Sequence, residues 1–251
     1  MKVSVIQMGI DLCNKEANLS KAFEYAKKAI ESGCEIILLP EVFSTGFCYE
    51  NIHKLAEPIP GDTYNKMMEC SREYSVIISG TIIEKFEDKL YNTCILFEDG
   101  DFLGKYRKTH LYGNEKNYFS HGNSLGIFET SRCKIGVIIC YEIRFPELAR
   151  TLALKGIDIL LTPAQFPKPR EEVWRTLVRA RAIENQIFHC ACNIVGEKYF
   201  GASLIVSPDG EILDDGKDKE KVVISNINLS EIKNIRKKIR VFSDRREELY
   251  F

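Results

Sequence analysis

Apolar residues along the chain follow two rhythms. Short Val- and Ile-rich runs of four to eight residues alternate with longer stretches in which apolar positions recur at helical spacing, the signature of an α/β layer fold. Residues 3–8 read as a first strand. From 16 to 32, Leu19, Ala22, Phe23, Ala26, Ala29 and Ile30 keep the i, i+3, i+4, i+7 spacing of a helix, and Gly33 supplies its stop. The run 35–39 is a second strand ended by Pro40, followed by a helix over 62–74 and a strand over 75–84. Runs at 89–97 and 102–106 flank Glu98-Asp99-Gly100-Asp101, where Asp-Gly signals a hairpin and interrupts the β-α alternation. The alternation then resumes: strand 134–139, helix 145–155, strand 157–161, helix 171–185, strand 187–192. Strands at 202–206 and 221–227 lie around a Pro208-Asp209-Gly210 turn, and a basic helix over 230–240 precedes a polar arm, about 240–251. No Ser/Gly/Pro-rich linker divides the chain, so a single domain over 1–251 is expected. Hairpins mixed with β-α units predict two sheets packed face to face with helices outside.

Charge narrows the partners. The 251 residues carry 35 Lys and Arg against 36 Asp and Glu, a net charge of −1. With no basic excess, neither nucleic acid nor an anionic membrane is an expected partner. No apolar run approaches the roughly 20 residues of a membrane span. Met1-Lys2-Val3-Ser4 leads straight into a strand-like run without a signal-peptide core, and nine cysteines in that context point to a reducing cytoplasm and free thiols.

Familiar ligand motifs are absent: there is no GxGxxG, no P-loop and no HExxH. His189-Cys190-Ala191-Cys192 gathers three potential ligands, but on a strand Cys190 and Cys192 share one face and His189 takes the other. Core cysteines are the better reading, and neither metal nor cofactor is expected.

Three polar residues occupy one kind of position. Cys140 ends the apolar run Lys134-Ile135-Gly136-Val137-Ile138-Ile139, and Pro146 shortly after suits a first helical turn. The positive end of a helix there would favour a thiolate, and free backbone N–H groups could hold an oxyanion. Glu41 follows the strand at 35–39 across Pro40, and Lys108 lies just past the strand at 102–106. Each is within a few residues of a strand's end, where α/β sheets present their chemistry. A carboxylate can take the thiol proton and an ammonium can steady the oxyanion that follows. The bland alternatives are a core thiol, a turn-capping carboxylate and a solvated surface lysine.

In full, these motifs read Leu38-Leu39-Pro40-Glu41, Tyr106-Arg107-Lys108-Thr109-His110-Leu111 and Cys140-Tyr141-Glu142-Ile143-Arg144-Phe145-Pro146-Glu147, with Glu115-Lys116-Asn117-Tyr118-Phe119 after the second. The chain thereby resembles the nitrilase superfamily of carbon–nitrogen hydrolases over essentially its whole length. The resemblance implies an αββα sandwich of two mixed β-sheets flanked by helices and a homodimer or higher homo-oligomer. It also implies a Glu–Lys–Cys catalytic set: Glu41 as general base, Cys140 as nucleophile, Lys108 and the Tyr141 N–H as oxyanion donors. Glu115 would position Lys108 or substrate.

The substrate implied is a small amide. Tyr141 and the Arg144-Phe145-Pro146-Glu147 continuation are similar to amidase branches, and residues 162–170, 174–175 and 179–185 are similar to bacterial ω-amidases, which hydrolyse 2-oxoglutaramate. Tyr112, Gln165, Phe166, Arg170 and Trp174 are the candidate substrate-binding residues. A substrate carboxylate needs a cation, for which Lys168, Arg170 and Arg175 are candidates. The chain departs from the family at Phe166, where Trp is frequent, and at Ile194, where Arg is common. Alternatives are an N-carbamoyl amine or amino-acid amidohydrolase, and a non-catalytic scaffold.

Overall fold

The computed structural model describes residues 1–250. Its strands are β1 (Lys2–Gln7), β2 (Ile36–Leu38), β3 (Ile77–Phe86), β4 (Lys89–Glu98), β5 (Asp101–Arg107), β6 (Gly126–Glu129), β7 (Lys134–Val137), β8 (Ile159–Pro163), β9 (Phe188–Cys192), β10 (Val195–Gly196), β11 (Tyr199–Phe200), β12 (Leu204–Val206), β13 (Ile212–Asp215) and β14 (Lys221–Asn226). The helices are α1 (Lys15–Glu31), α2 (Ile52–Leu55), α3 (Asp62–Tyr74), α4 (Pro146–Leu154), α5 (Glu171–Asn185) and α6 (Ser230–Lys238). Two six-stranded mixed sheets form, ordered β14-β1-β2-β3-β4-β5 and β13-β12-β9-β8-β7-β6. The centre of each is parallel (β1, β2, β3 and β7, β8, β9), and antiparallel strands flank it.

Residue alternation explains the layering. In the strand at 36–39, Ile36 and Leu38 join the core between the sheets together with Val3, Val5, Leu96, Ile135 and Val137. Ile37 and Leu39 face the other way and pack with Ile6, Ile78 and the α1 residues Leu19, Ala22 and Ala26. Strands buried on both faces need apolar residues at successive positions, which is why these runs look continuous rather than alternating. The other sheet is covered by α4 and α5, whose Leu152, Trp174 and Val178 lie in the first core. The two-sheet sandwich expected from the pattern is therefore the observed fold.

At the hairpin, Asp99 and Gly100 both have positive φ, 52° and 91°, as the twist-matching two-residue turn requires. Strands β6 and β13 and the β10–β11 hairpin add to the elements expected from the pattern.

Candidate active site

The parallel strands of both sheets deliver their C-terminal ends to one place. Glu41 follows β2, Cys140 follows β7, Gln165 follows β8, and Lys108 comes in from the end of β5. Lys108 is fully buried, with Nζ 2.7 Å from Glu41 Oε1 and 2.9 Å from Glu115 Oε1. Glu41 is itself fully buried and Glu115 nearly so. Burial alone would push the Lys108 ammonium down, but the two carboxylates outweigh it and hold its pKa above the ordinary value. Glu115 is raised as well, to about 7: burial and the Glu41 charge raise it further than Lys108 lowers it.

Cys140 opens a short 3-10 turn, Cys140–Arg144, and has φ of 48°, in the left-handed region that non-glycine residues rarely enter. Val42, next to Glu41, is also left-handed at φ 44° and is tied down by its N–H to Thr81 Oγ1 at 2.7 Å. Strained backbone of this kind clusters at functional sites. The true α-helix begins only at Pro146. Burial first, and the Glu41 charge second, push the Cys140 thiol well above its ordinary value despite Lys108. Where a helix end was expected beside Cys140 there is a 3-10 turn, and burial favours the neutral thiol over the thiolate. Tyr141 is the second residue of the turn, and first-turn N–H groups have no intrahelical partner.

Glu41, Glu115, Cys140 and Tyr141 line a cavity of about 650 Å³, with Lys108 buried behind them. Tyr112, Gln165, Phe166 and Arg170 line it, as does Ile194. Gln165, however, also grips Glu41: its N–H donates to Oε2 at 2.8 Å and its Nε2 to the Glu41 carbonyl at 2.7 Å. Trp174 stays off the wall. It is fully buried behind Phe166, with its indole N–H on the Ala202 carbonyl at 2.7 Å. Of the cation candidates, Arg175 is committed to Glu171 and Asp215, both at 2.8–2.9 Å, and Lys168 Nζ to the Gly196 and Glu197 carbonyls. Arg170 remains, joined by Arg144, whose guanidinium lies 5.4 Å from the Phe166 ring. Among the described residues neither forms an ion pair.

Two features were missed by sequence reasoning. Glu142 is fully buried, yet it accepts from Thr109 N (2.6 Å), Thr109 Oγ1 (2.7 Å), Ile139 N (2.6 Å), His110 N (3.1 Å) and Tyr106 OH (2.9 Å). Burial would raise its pKa, but hydrogen bonds from His110, Thr109 and Ile139 prevail and hold it below the ordinary carboxylate value. Glu142 therefore locks the Lys108 loop to the Cys140 turn. A charged residue between Tyr141 and Ile143, two positions after the apolar run that ends at Cys140, was the available signal. The second is a Cys13–Cys48 disulfide, where free thiols were expected. It joins two loops of the cavity mouth, one carrying Ile10 and Leu12, the other Gly46, Phe47 and Tyr49.

A buried carboxylate–ammonium pair beside a thiol, on a two-sheet α/β scaffold, defines a cysteine hydrolase. The carbon–nitrogen hydrolase family profile matches residues 2–237, and the chain belongs to that family. It is 37% identical to a nitrilase of Pyrococcus abyssi over 265 residues, covering 100% of this chain and 99% of that protein. It is 34% identical to the 2-oxoglutaramate amidase of Bacillus subtilis, covering 99% and 98%. Among solved structures, Nit3 of Saccharomyces cerevisiae, from branch 10 of the nitrilase superfamily, superposes with a TM-score of 0.90 at 28% identity, over 98% of this chain and 96% of that one.

Proposed function

We propose that this enzyme hydrolyses the terminal amide of a small carboxylic acid ω-amide, of 2-oxoglutaramate type, to the acid and ammonia through a cysteine thioester. The observation that carries the reading is the buried Glu41–Lys108–Glu115 chain beside Cys140, beneath a cavity with two uncommitted arginines on its wall. Glu41 takes the Cys140 proton as sulfur attacks the amide carbon. Lys108 and the Tyr141 N–H hold the tetrahedral oxyanion, an interaction worth about 10²–10³ in rate elsewhere. The C–N bond breaks as Glu41 returns the proton to the departing ammonia. Glu41 then deprotonates a water that attacks the thioester, the C–S bond breaks, and Cys140 regains its proton. Glu115, 2.9 Å from Lys108 Nζ, helps to hold Lys108 in place. Arg144 and Arg170 offer the charge that a distal carboxylate needs, and the apolar wall formed by Phe47, Phe166 and Tyr112 suits a short aliphatic linker.

The B. subtilis relative's activity supports this substrate class, whereas the archaeal relative's name makes a nitrile the second reading. An ammonia-release screen over ω-amides, N-carbamoyl compounds and nitriles, with Cys140→Ala as blank, separates them. The ω-amide acids should give the highest kcat/KM; faster release from nitriles or N-carbamoyl compounds would overturn the choice.

The same proposal has a single domain act as a homodimer. Leu154 on α4, Ile183 on α5 and Ile239 beyond α6 are exposed apolar side chains that an isolated copy would leave in water. Light scattering should give twice the chain mass. A cytoplasmic location fits the seven free cysteines, Cys140 among them, with the Cys13–Cys48 bond as the exception, and no helix among the described residues is long and apolar enough to cross a membrane.

A further inference from the structure

The two oxygens of Glu41 are held differently, and Asn92 makes the difference. Asn92, in the middle of β4, is fully buried and donates from Nδ2 to Glu41 Oε1 at 2.8 Å. The same oxygen takes Lys108 Nζ at 2.7 Å. Oε1 therefore has two donors, one of them charged, and no lone pair left for a proton. Oε2 takes only the Gln165 N–H, at 2.8 Å, and Glu41 and Cys140 line the same cavity. Asn92 holds the partner of the base as well, since its backbone carbonyl accepts the Lys108 N–H at 2.8 Å.

We propose that Asn92 is a positioning residue that pins Glu41 Oε1 beside Lys108 and so leaves Oε2 as the single atom that exchanges the proton with Cys140. The proposal rests on Glu41 being the general base. Its chemistry is proton transfer only: the proton leaves Sγ for Oε2, passes from Oε2 to the departing amine, and is replaced there by one from water.

The side-chain choice is specific. A carboxylate at 92 would place a third acid around one buried ammonium. An aliphatic residue would leave Oε1 with one donor and the carboxylate free to turn. The amide can face Glu41 only through its nitrogen, because its oxygen would meet another oxygen there. That orientation leaves Asn92 Oδ1 buried without a hydrogen-bond partner. Orphaned buried carbonyls are uncommon, and here the bare oxygen follows from committing the nitrogen to the base.

The test is a double-mutant cycle in the full-length protein. Asn92→Ala and Glu41→Gln are made singly and together, with Asn92→Ser, too short to reach Glu41, in place of Asn92→Ala if the latter does not fold. Two quantities are read: kcat and KM for ammonia release from an ω-amide acid, and the rate at which N-ethylmaleimide, which has no primary amide to hydrolyse, alkylates Cys140, followed by peptide mass so that the other thiols do not interfere. A misplaced base costs on the order of 10–100-fold, so kcat should fall by that factor with KM within about twofold. Alkylation should slow about tenfold when Glu41 is present and not at all in the Glu41→Gln background. Equal slowing in both backgrounds would show that Asn92 is a packing residue, and an unchanged kcat would likewise overturn the proposal. If Glu41→Gln alone fails to slow alkylation, the base assignment itself falls, an outcome distinct from the other two.

Discussion

Replacing Lys108 by Met keeps the side chain's length and removes its charge. The wild-type cluster holds one ammonium between two carboxylates, at 2.7 and 2.9 Å, with all three groups nearly or fully out of water. The variant leaves both acids facing one another with no counter-charge. Breaking a buried ion pair by removing one partner costs about 3–5 kcal/mol. With an unfolding entropy of roughly 2.1 cal/mol/K per residue, this chain has about 0.5 kcal/mol/K, so Tm should fall by about 6–10 °C near pH 8. The sign of the pH dependence follows from linkage. Glu115 already titrates near 7 in the folded protein, against an ordinary value of 4.5. Without Lys108, the folded pair binds protons more tightly than the unfolded chain does. Stability of the variant must then rise as pH falls from 8 towards 5, where the pair becomes neutral. Calorimetry of wild type and Lys108→Met at pH 5.5 and 8 reads this directly. A deficit that is the same at both pH values, or absent at pH 8, would refute the view that Lys108 is the buried counter-ion of the two acids.

Glu142→Gln exchanges a carboxylate oxygen for an NH₂ among donors, so stability should drop by about 3 kcal/mol and kcat by at least tenfold as the Lys108 loop loosens; unchanged urea unfolding would contradict the locking role. Arg144→Leu should raise KM for an ω-amide acid by about 10–100-fold while leaving KM for a neutral amide within about twofold, as steady-state kinetics on both will show. The Cys13–Cys48 bond closes 35 residues, a constraint worth about 4 kcal/mol. Dithiothreitol should therefore lower Tm by about 7 °C, and Cys13→Ser should show the lower Tm without responding to reductant.

Much of this architecture was legible because its determinants are local. Helices over 62–74 and 171–185 were expected at the residues where they occur, since periodic apolar faces and clear ends specify them. Strand β13 was not, because Ile212-Leu213-Asp214-Asp215 is a short edge strand, half of it acid, and Gly126–Glu129 is likewise only four residues long. Both are held by partners rather than by propensity. At the site, Glu41, Lys108 and Cys140 could be named because each lies at a strand's end, and Glu115 because it sits in a motif of the family the chain resembles. What links them could not. Asn92 reaches Glu41 across 51 residues, Gln165 across 124, and Glu142 reaches Thr109 across 33. The protonated state of Cys140 likewise depends on burial, which periodicity does not report for a residue at a turn. Trp174 shows the converse error: an aromatic on an amphipathic helix close to a pocket in sequence faces the core, and Phe166 takes the wall.

The central claim is that Cys140 carries the acyl group during turnover. Rapid acid quench of the enzyme with an ω-amide acid, followed by intact and peptide mass analysis, measures it. An acyl mass increment should appear on the peptide containing Cys140, formed with one equivalent of ammonia, and neither increment nor ammonia for Cys140→Ala. Ammonia release without an adduct at Cys140, or sustained turnover by Cys140→Ala, would contradict it.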